Sequence, residues 1–260
     1  LPVKLLQITD CHLGEQKGER LLGLDTDESL ELVLAHMWEE QQQVDLIVCS
    51  GDLSNEAGAG AYERLIEKLP SDIPQAWLPG NHDENECMQT FVADNRRFLP
   101  TLNYPYWQIT LLDSSIPNAV PGLIEFKELE RAINVLEQFP EKSHVIFMHH
   151  PLQMVGCKWL DTQVIGNADA VLSQLEKYPQ LKLIVCGHVH QETHNTHKHI
   201  QLYSTPSTCI QFKKHSDGFA VGDEMPGYRW IELHDDGTFA TAVSRIPFRE
   251  LHIDHGSSGY

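Results

Sequence analysis

Five short apolar runs in this chain each stop at a cluster of carboxylate, imidazole or amide residues, and this recurrence limits the fold more than any other property. The clusters are Asp10-Cys11-His12, Gly51-Asp52, Gly80-Asn81-His82-Asp83, His149-His150-Pro151 and Gly187-His188-Val189-His190. Apolar, largely β-branched lead-ins read as buried strands. Strand ends converge on one edge of a sheet, where open α/β folds place their sites. Asp10, His12, Asp52, Asn81, His149, His188 and His190 offer oxygen and nitrogen donors that suit borderline divalent metals, and they are too many for one tetrahedral zinc. Shared between two ions, with Asp52 bridging through its two oxygens, they point to a binuclear hydrolytic centre.

The rest of the chain reads as alternating elements. Strands are expected at Val3–Thr9, Asp45–Cys49, Gln75–Leu78, Trp107–Asp113, His144–Met148 and Leu183–Cys186. Between them, helices are expected from Asp25 to Gln43, Ala61 to Leu69, about Glu125 to Glu137, and Ala168 to Tyr178. The first carries Leu30, Val33, Leu34, Met37 and Trp38 at helical spacing, with acidic residues in its first turn. After the last cluster the pattern turns β-rich, with strand-like Gln201–Ser204, Gln211–Lys213, Tyr228–Leu233 and Phe239–Ile246. Two facing sheets with helices outside accommodate both halves. The clusters run from residue 10 to residue 190, so a boundary within that span would split the site; residues 1–251 read as one domain and 252–260 as a loose tail.

Bulk properties narrow the partners. The chain of 260 residues is 41% hydrophobic and 22% charged, ordinary for a globular protein. No apolar run approaches the ~20 residues of a membrane span. A formal charge of −18 repels nucleic-acid polymers and offers them no basic patch. Bound metal ions would reverse the potential locally, which leaves a small phosphodiester acceptable as substrate. Cys11, Cys49, Cys87, Cys157, Cys186 and Cys209 form no Cys-x-x-Cys pair, as expected in a reducing compartment. The chain opens straight into a strand without a basic-then-apolar leader, so the cytoplasm is expected.

Each candidate has a bland alternative. Asp10 and His12 are two apart at a strand end, so both project to one side while Cys11 points away; alone, such a pair is more often a turn and a surface histidine. His188 and His190 repeat that logic around Val189. Asp52 is also a favoured helix N-cap type. Gly51 and Gly80 supply turns that let backbone and ligands approach closely. Asp83 is placed to orient His82 by accepting a hydrogen bond, and His150 either orients its loop or touches substrate. His194, His197 and His199 lie in a polar stretch and are expected at the surface. Asp25-Thr26-Asp27-Glu28-Ser29 lacks the glycine of a calcium loop, since Leu30 stands there, and no P-loop sequence exists.

Taken together and in order, the clusters resemble the calcineurin-like metallophosphoesterases over nearly the whole chain. Leu5-Leu6-Gln7-Ile8-Thr9-Asp10, Leu21-Leu22-Gly23, Cys157-Lys158-Trp159-Leu160-Asp161 and Tyr203-Ser204-Thr205-Pro206-Ser207-Thr208-Cys209 are similar to the bacterial class III cyclic-AMP phosphodiesterases. The resemblance implies a four-layer α-β-β-α sandwich. It places Asp10, His12, Asp52 and His190 on one metal, and Asp52, Asn81, His149 and His188 on the other. It makes His82 the catalytic histidine, with Asn81, His82 and His150 near the substrate. Iron at the first site and manganese at the second are implied, with zinc or cobalt in other combinations. The implied reaction is attack by a metal-bridging hydroxide on 3′,5′-cyclic AMP to give 5′-AMP. Rival readings are an enzyme of the same fold acting on glycerophosphodiesters or nucleotides, and a noncatalytic scaffold on that fold. A protein phosphatase fits less well, because those relatives carry Arg where this chain has Asp52-Leu53-Ser54-Asn55-Glu56.

Overall fold

A computed structural model describes residues 1–41, 43–92 and 95–259. In chain order it contains β1 (Val3–Ile8), a small hairpin of β2 (Arg20–Leu21) and β3 (Leu24–Asp25), α1 (Thr26–Glu40), β4 (Leu46–Ser50), α2 (Ala59–Lys68) and β5 (Gln75–Leu78). Then follow α3 (Asn85–Phe91), β6 (Thr101–Asn103), β7 (Trp107–Leu111), α4 (Phe126–Gln138), β8 (Ser143–Phe147) and α5 (Ala168–Leu175). The chain finishes with β9 (Leu181–Cys186), β10 (Thr193–His197), β11 (Ile200–Ser204), β12 (Gly227–Leu233) and β13 (Phe239–Arg245).

Two mixed sheets result, ordered β13-β12-β1-β4-β5 and β10-β11-β9-β8-β7-β6. β1, β4 and β5 run parallel, as do β11, β9, β8 and β7, while antiparallel strands lie at every edge except that of β5. Period-2 alternation gives the central strands two buried faces. Leu5, Val48, Ile109, Val145, Val185 and Ile231 meet between the sheets. Leu6, Ile8, Ile47 and Cys49 turn the other way onto α1 and α2, through Leu30, Val33, Leu34, Met37, Tyr62 and Leu65. Ile146, Met148 and Ile184 do the same towards α4 and α5, through Ala132, Leu136, Val171 and Leu172. The four-layer α-β-β-α expectation holds.

Local chemistry sets the helix ends. Asp25 caps α1 by accepting from the Glu28 N–H at 3.0 Å, with Asp27 and Glu28 in the positive first turn. The helix stops at Glu40, short of the expected Gln43; residue 42 lies outside the described residues. Gln211–Lys213 is not a ladder strand, since only Phe212 pairs, in an isolated bridge with Val221. Conversely, the polar stretch around His194 and His197 forms edge strand β10, paired antiparallel with β11. In the expected tail, Asp254 N–H donates to the Leu22 carbonyl at 2.7 Å, and Ile253 packs by Leu21 and Leu24; residue 260 lies outside the described residues.

Candidate metal centre

The C-terminal ends of β1, β4, β5, β8 and β9 deliver all five clusters to one place. The expected alternation at the strand ends needs correction. β1 stops at Ile8 and β9 at Cys186, so Asp10, His12, His188 and His190 stand beyond the strands. They converge because the backbone is left-handed at each: φ is +54° at Asp10, +46° at His12, +65° at His188 and +48° at His190, with +48° at Asp52. Few non-glycine residues adopt this region, and Asp and His are among the types enriched there. Cys11 and Val189 do point away, both fully buried in separate apolar clusters.

Backbone bonds knit these turns together. Asp10 N–H donates to the Gly51 carbonyl and His12 N–H to the Asp52 carbonyl, both at 2.9 Å. His188 N–H faces Asp10 Oδ1 and Oδ2 at 3.1 and 3.0 Å, and His82 N–H donates to Asp52 Oδ1 at 2.8 Å. A side chain is excluded at two glycines: a Cβ on Gly80 would lie 2.2 Å from Asp52 Oδ1, and one on Gly51, where φ is +98°, 2.4 Å from His149 Nδ1.

The imidazoles are turned by their outer nitrogens. Asn55 Oδ1 lies 3.2 Å from His12 Nδ1, the Ile210 carbonyl 2.7 Å from His190 Nδ1, and the Ser50 carbonyl 2.9 Å from His149 Nδ1. A carbonyl only accepts, so each Nδ1 carries the proton and each Nε2 points inward. His12 and His190 thus bring their Nε2 atoms within 3.2 Å of each other. Two lone pairs at that separation repel unless a cation or proton lies between them. His190 Nε2 is 3.3 Å from Asp10 Oδ1, while Asp52 Oδ2 lies 3.1 Å from His149 Nε2 and 3.7 Å from His12 Nε2. Asn81 Oδ1, His149 Nε2 and His188 Nε2 are buried without a hydrogen-bond partner of acceptable geometry among the described residues. Buried polar atoms left unpaired are costly, and inward nitrogens beside two carboxylates suit bound cations.

The charge states agree. Burial, with His82 and His190 adding to it, pulls His12 down to about 3, and burial with His150 and His149 holds His188 well below the usual range. Both are therefore neutral, as a metal ligand must be. Burial opposes ionisation of Asp10 and Asp52, but neighbouring imidazoles outweigh it, chiefly His190 for Asp10 and His149 for Asp52, and both carboxyls are held low. His149 is the exception. Burial pulls it down, yet Asp52 and Asp10 together push it up to about 9, so a proton sits where a cation would be held.

His82 and Asp83 share the cluster's edge, but their expected partnership needs correction. The Asn55 carbonyl takes the His82 Nδ1 proton at 2.9 Å. Asp83 instead staples two loops: it accepts from Leu53 N–H (3.1 Å), Ser54 N–H (3.0 Å), Gly80 N–H (3.0 Å) and the Tyr62 hydroxyl (2.8 Å). Carboxylate oxygens engaged by four donors are committed to structure. His150 approaches His188, with ring centroids 4.6 Å apart. Its nitrogens are used otherwise: Nε2 lies 3.0 Å from the Val120 carbonyl, and Nδ1 2.8 Å from Ser114 Oγ. These two bonds tie His150 to the 114–123 loop. Sequence reasoning passed over Asn55, which orients both His12 and His82; its place three residues after Asp52 was the available signal. His194 and His199 are exposed and His197 half-buried against Glu176, and none joins a metal-type cluster among the described residues.

Comparison with known proteins agrees with this geometry. The family model for calcineurin-like phosphoesterases matches residues 3–192. The chain is 37% identical over 259 residues to 3′,5′-cyclic adenosine monophosphate phosphodiesterase CpdA of Pseudomonas aeruginosa, covering 99% of this chain and 95% of that one. It is 38% identical over 265 residues to the enzyme of that name from Escherichia coli K12, with the same coverages. Among solved structures, a dimetal phosphatase from Danio rerio shares the fold with a TM-score of 0.62 at 15% identity, over 94% of this chain and 99% of that one. Sequence, layer order and ligand cluster agree, and the chain belongs to the calcineurin-like phosphoesterase family.

Proposed function

We propose that this chain hydrolyses 3′,5′-cyclic AMP to 5′-AMP at a two-metal centre. The observation that carries the reading is full-length similarity to cyclic-AMP phosphodiesterases, combined with buried site atoms, Asn81 Oδ1, His149 Nε2 and His188 Nε2, that lack hydrogen-bond partners of acceptable geometry among the described residues. Asp10, His12, Asp52 and His190 would hold one ion, and Asp52, Asn81, His149 and His188 the other. Asp52 would be shared by both ions, a role supported by its Oδ2 lying 3.7 Å from His12 Nε2 and 3.1 Å from His149 Nε2. Iron and manganese are the proposed pair, on a mixed oxygen and nitrogen donor set that also accepts zinc or cobalt. When bound, such ions supply Lewis-acid stabilisation of phosphate oxygens and a nucleophile from water near neutral pH.

The protein's own groups do the rest. His82 stands half-buried beside the buried His12, their ring centroids 4.8 Å apart. With Nδ1 held by Asn55, Nε2 is the atom that carries a proton to the departing 3′ oxygen or stabilises its charge. Asp83 keeps the His82 turn against the Asp52 loop and takes no part in proton transfer. His150 fixes the 114–123 loop at the edge of the site. Residues 1–251 act as one catalytic domain, supported by β12 lying beside β1, and the cytoplasm is its proposed place, supported by six free thiols. No helix among the described residues is long and apolar enough to cross a membrane.

The test is a substrate panel on metal-loaded protein. Cyclic AMP should give the highest kcat/KM, with 5′-AMP released and left intact. A clear preference for a glycerophosphodiester or for 5′-AMP would overturn the substrate while leaving the metal chemistry standing. Absence of turnover on every ester, with two metals bound, would favour a scaffold.

A further inference from the structure

We infer that Gln7 is a positioning residue of the metal centre, oriented by Thr205 and Arg229, and that it sets the spacing between the two sheets where they carry the ligands. The inference rests on the two-metal reading above. Between the sheets, the contact layer is apolar where Leu5, Val48 and Ile231 meet Val145 and Val185. Two residues nearer the site, the same faces of β1, β4 and β12 carry Gln7, Ser50 and Arg229 instead. Gln7 and Arg229 are direct partners in the β1–β12 ladder, and they are 0% and 1% exposed. A packed sandwich has no need of an amide and a guanidinium at its centre, where aliphatic side chains cost nothing to bury.

The hydrogen bonds run in one direction. Arg229 has donors only: Nε donates to Thr205 Oγ1 at 3.1 Å, Nη2 to the Ser204 carbonyl at 3.0 Å and Nη1 to Thr241 Oγ1 at 3.0 Å. The Thr205 hydroxyl accepts from Arg229, so its single proton goes to Gln7 Oε1. That settles which end of the Gln7 amide is oxygen. Its Nε2 must then face the other way, where it donates to Ser50 Oγ at 2.8 Å and to the Cys186 carbonyl at 3.3 Å.

Those endpoints lie at the bases of the metal turns. Ser50 is two residues before Asp52, Cys186 two before His188, and Gln7 three before Asp10. The Ser50 carbonyl also takes the Nδ1 proton of His149. One amide therefore ties together strands that carry ligands from both sheets, and Arg229 and Thr205 prevent it from flipping.

Thr205→Val keeps the side-chain shape and removes the hydroxyl; Gln7→Met keeps most of the volume and removes the amide. Mn²⁺ affinity is measured by titrating each protein and reading free Mn²⁺ by electron paramagnetic resonance, with melting temperature and cyclic-AMP kinetics alongside. Outer groups that orient metal ligands typically change metal affinity or activity by about 10–100-fold. Both variants should bind Mn²⁺ more weakly by about that factor, with kcat falling more than KM rises, and Thr205→Ser should restore wild-type values. Wild-type Mn²⁺ affinity in Thr205→Val, or in Gln7→Met should the first fail to fold, would overturn the inference. So would a Thr205→Ser protein as impaired as Thr205→Val, which would point to packing alone. Wild-type protein that binds no Mn²⁺ would overturn the two-metal reading and this inference with it.

Discussion

Replacing Asp83 with alanine separates a structural carboxylate from a catalytic one. In the wild type this side chain accepts from three backbone N–H groups, of Leu53, Ser54 and Gly80, and from the Tyr62 hydroxyl. A buried donor stripped of its acceptor costs about 1–3 kcal/mol. The site is only partly buried, so the lower figure applies, and four donors sum to about 4 kcal/mol. Burial, reinforced by the Asp52 charge, pushes the Asp83 carboxyl up, so deleting it recovers some desolvation energy. A net loss of about 3–4 kcal/mol remains, a large share of the 5–15 kcal/mol by which domains are stable. At about 2–4 °C per kcal/mol for a chain of this size, the melting temperature should fall by about 6–16 °C. The measurement belongs in EDTA, because a metal that binds only the folded state adds its own stabilisation. Turnover after metal reloading should fall less than it does in a His82 variant. Asp83→Ala protein that melts within about 2 °C of wild type but has lost turnover would refute this reasoning and return Asp83 to the side of His82.

Asp52→Asn should be the most damaging single change at the metals, since a neutral amide bridges two cations poorly; activity and at least one ion should be lost, and two retained ions by elemental analysis would count against bridging. His82→Ala should keep both ions and its melting temperature while kcat falls about 10²–10⁴-fold, as for loss of a general acid; released metal would move His82 into the ligand set. The raised pKa of His149, about 9, means that a metal must displace its proton at any lower pH. Apparent metal affinity should therefore rise up to about tenfold per pH unit from this group as pH climbs towards 9, then level off. Calorimetry in two buffers of different ionisation enthalpy should detect the released proton at pH 7, and identical heats would refute it.

The central strands and the ligand clusters were legible because both signals are local. Leu46–Ser50 and Leu181–Cys186 are buried on nearly every residue, so composition alone marks them. β10 was not legible: as an edge strand with alternately exposed and half-buried residues, Thr193–His197 lacks an apolar face. α3, seven residues with only Met88 buried, is too short to show a period. Gln211–Lys213 looked like a strand because Ile210 and Phe212 are apolar, but these residues fill two small satellite clusters. At the site, the candidate ligands could be read from neighbours in sequence, whereas Asp83 takes partners from Leu53, Ser54 and Tyr62, and Gln7 from Ser50, Cys186 and Thr205. Such tertiary partners leave no periodicity to find.

The left-handed backbone at Asp10, His12, Asp52, His188 and His190 has a consequence for attempts to re-engineer this centre. Each such residue holds a conformation costing about 1–2 kcal/mol, which only short polar or imidazole side chains meet readily. Side-chain libraries at these five positions are therefore screened twice, once by the ions and once by the chain. Glutamate in place of Asp10, or cysteine in place of His190, would bring a new donor on a backbone that disfavours it. Redirecting such a site to softer metals would require rebuilding its loops, with the exchange of ligands coming second.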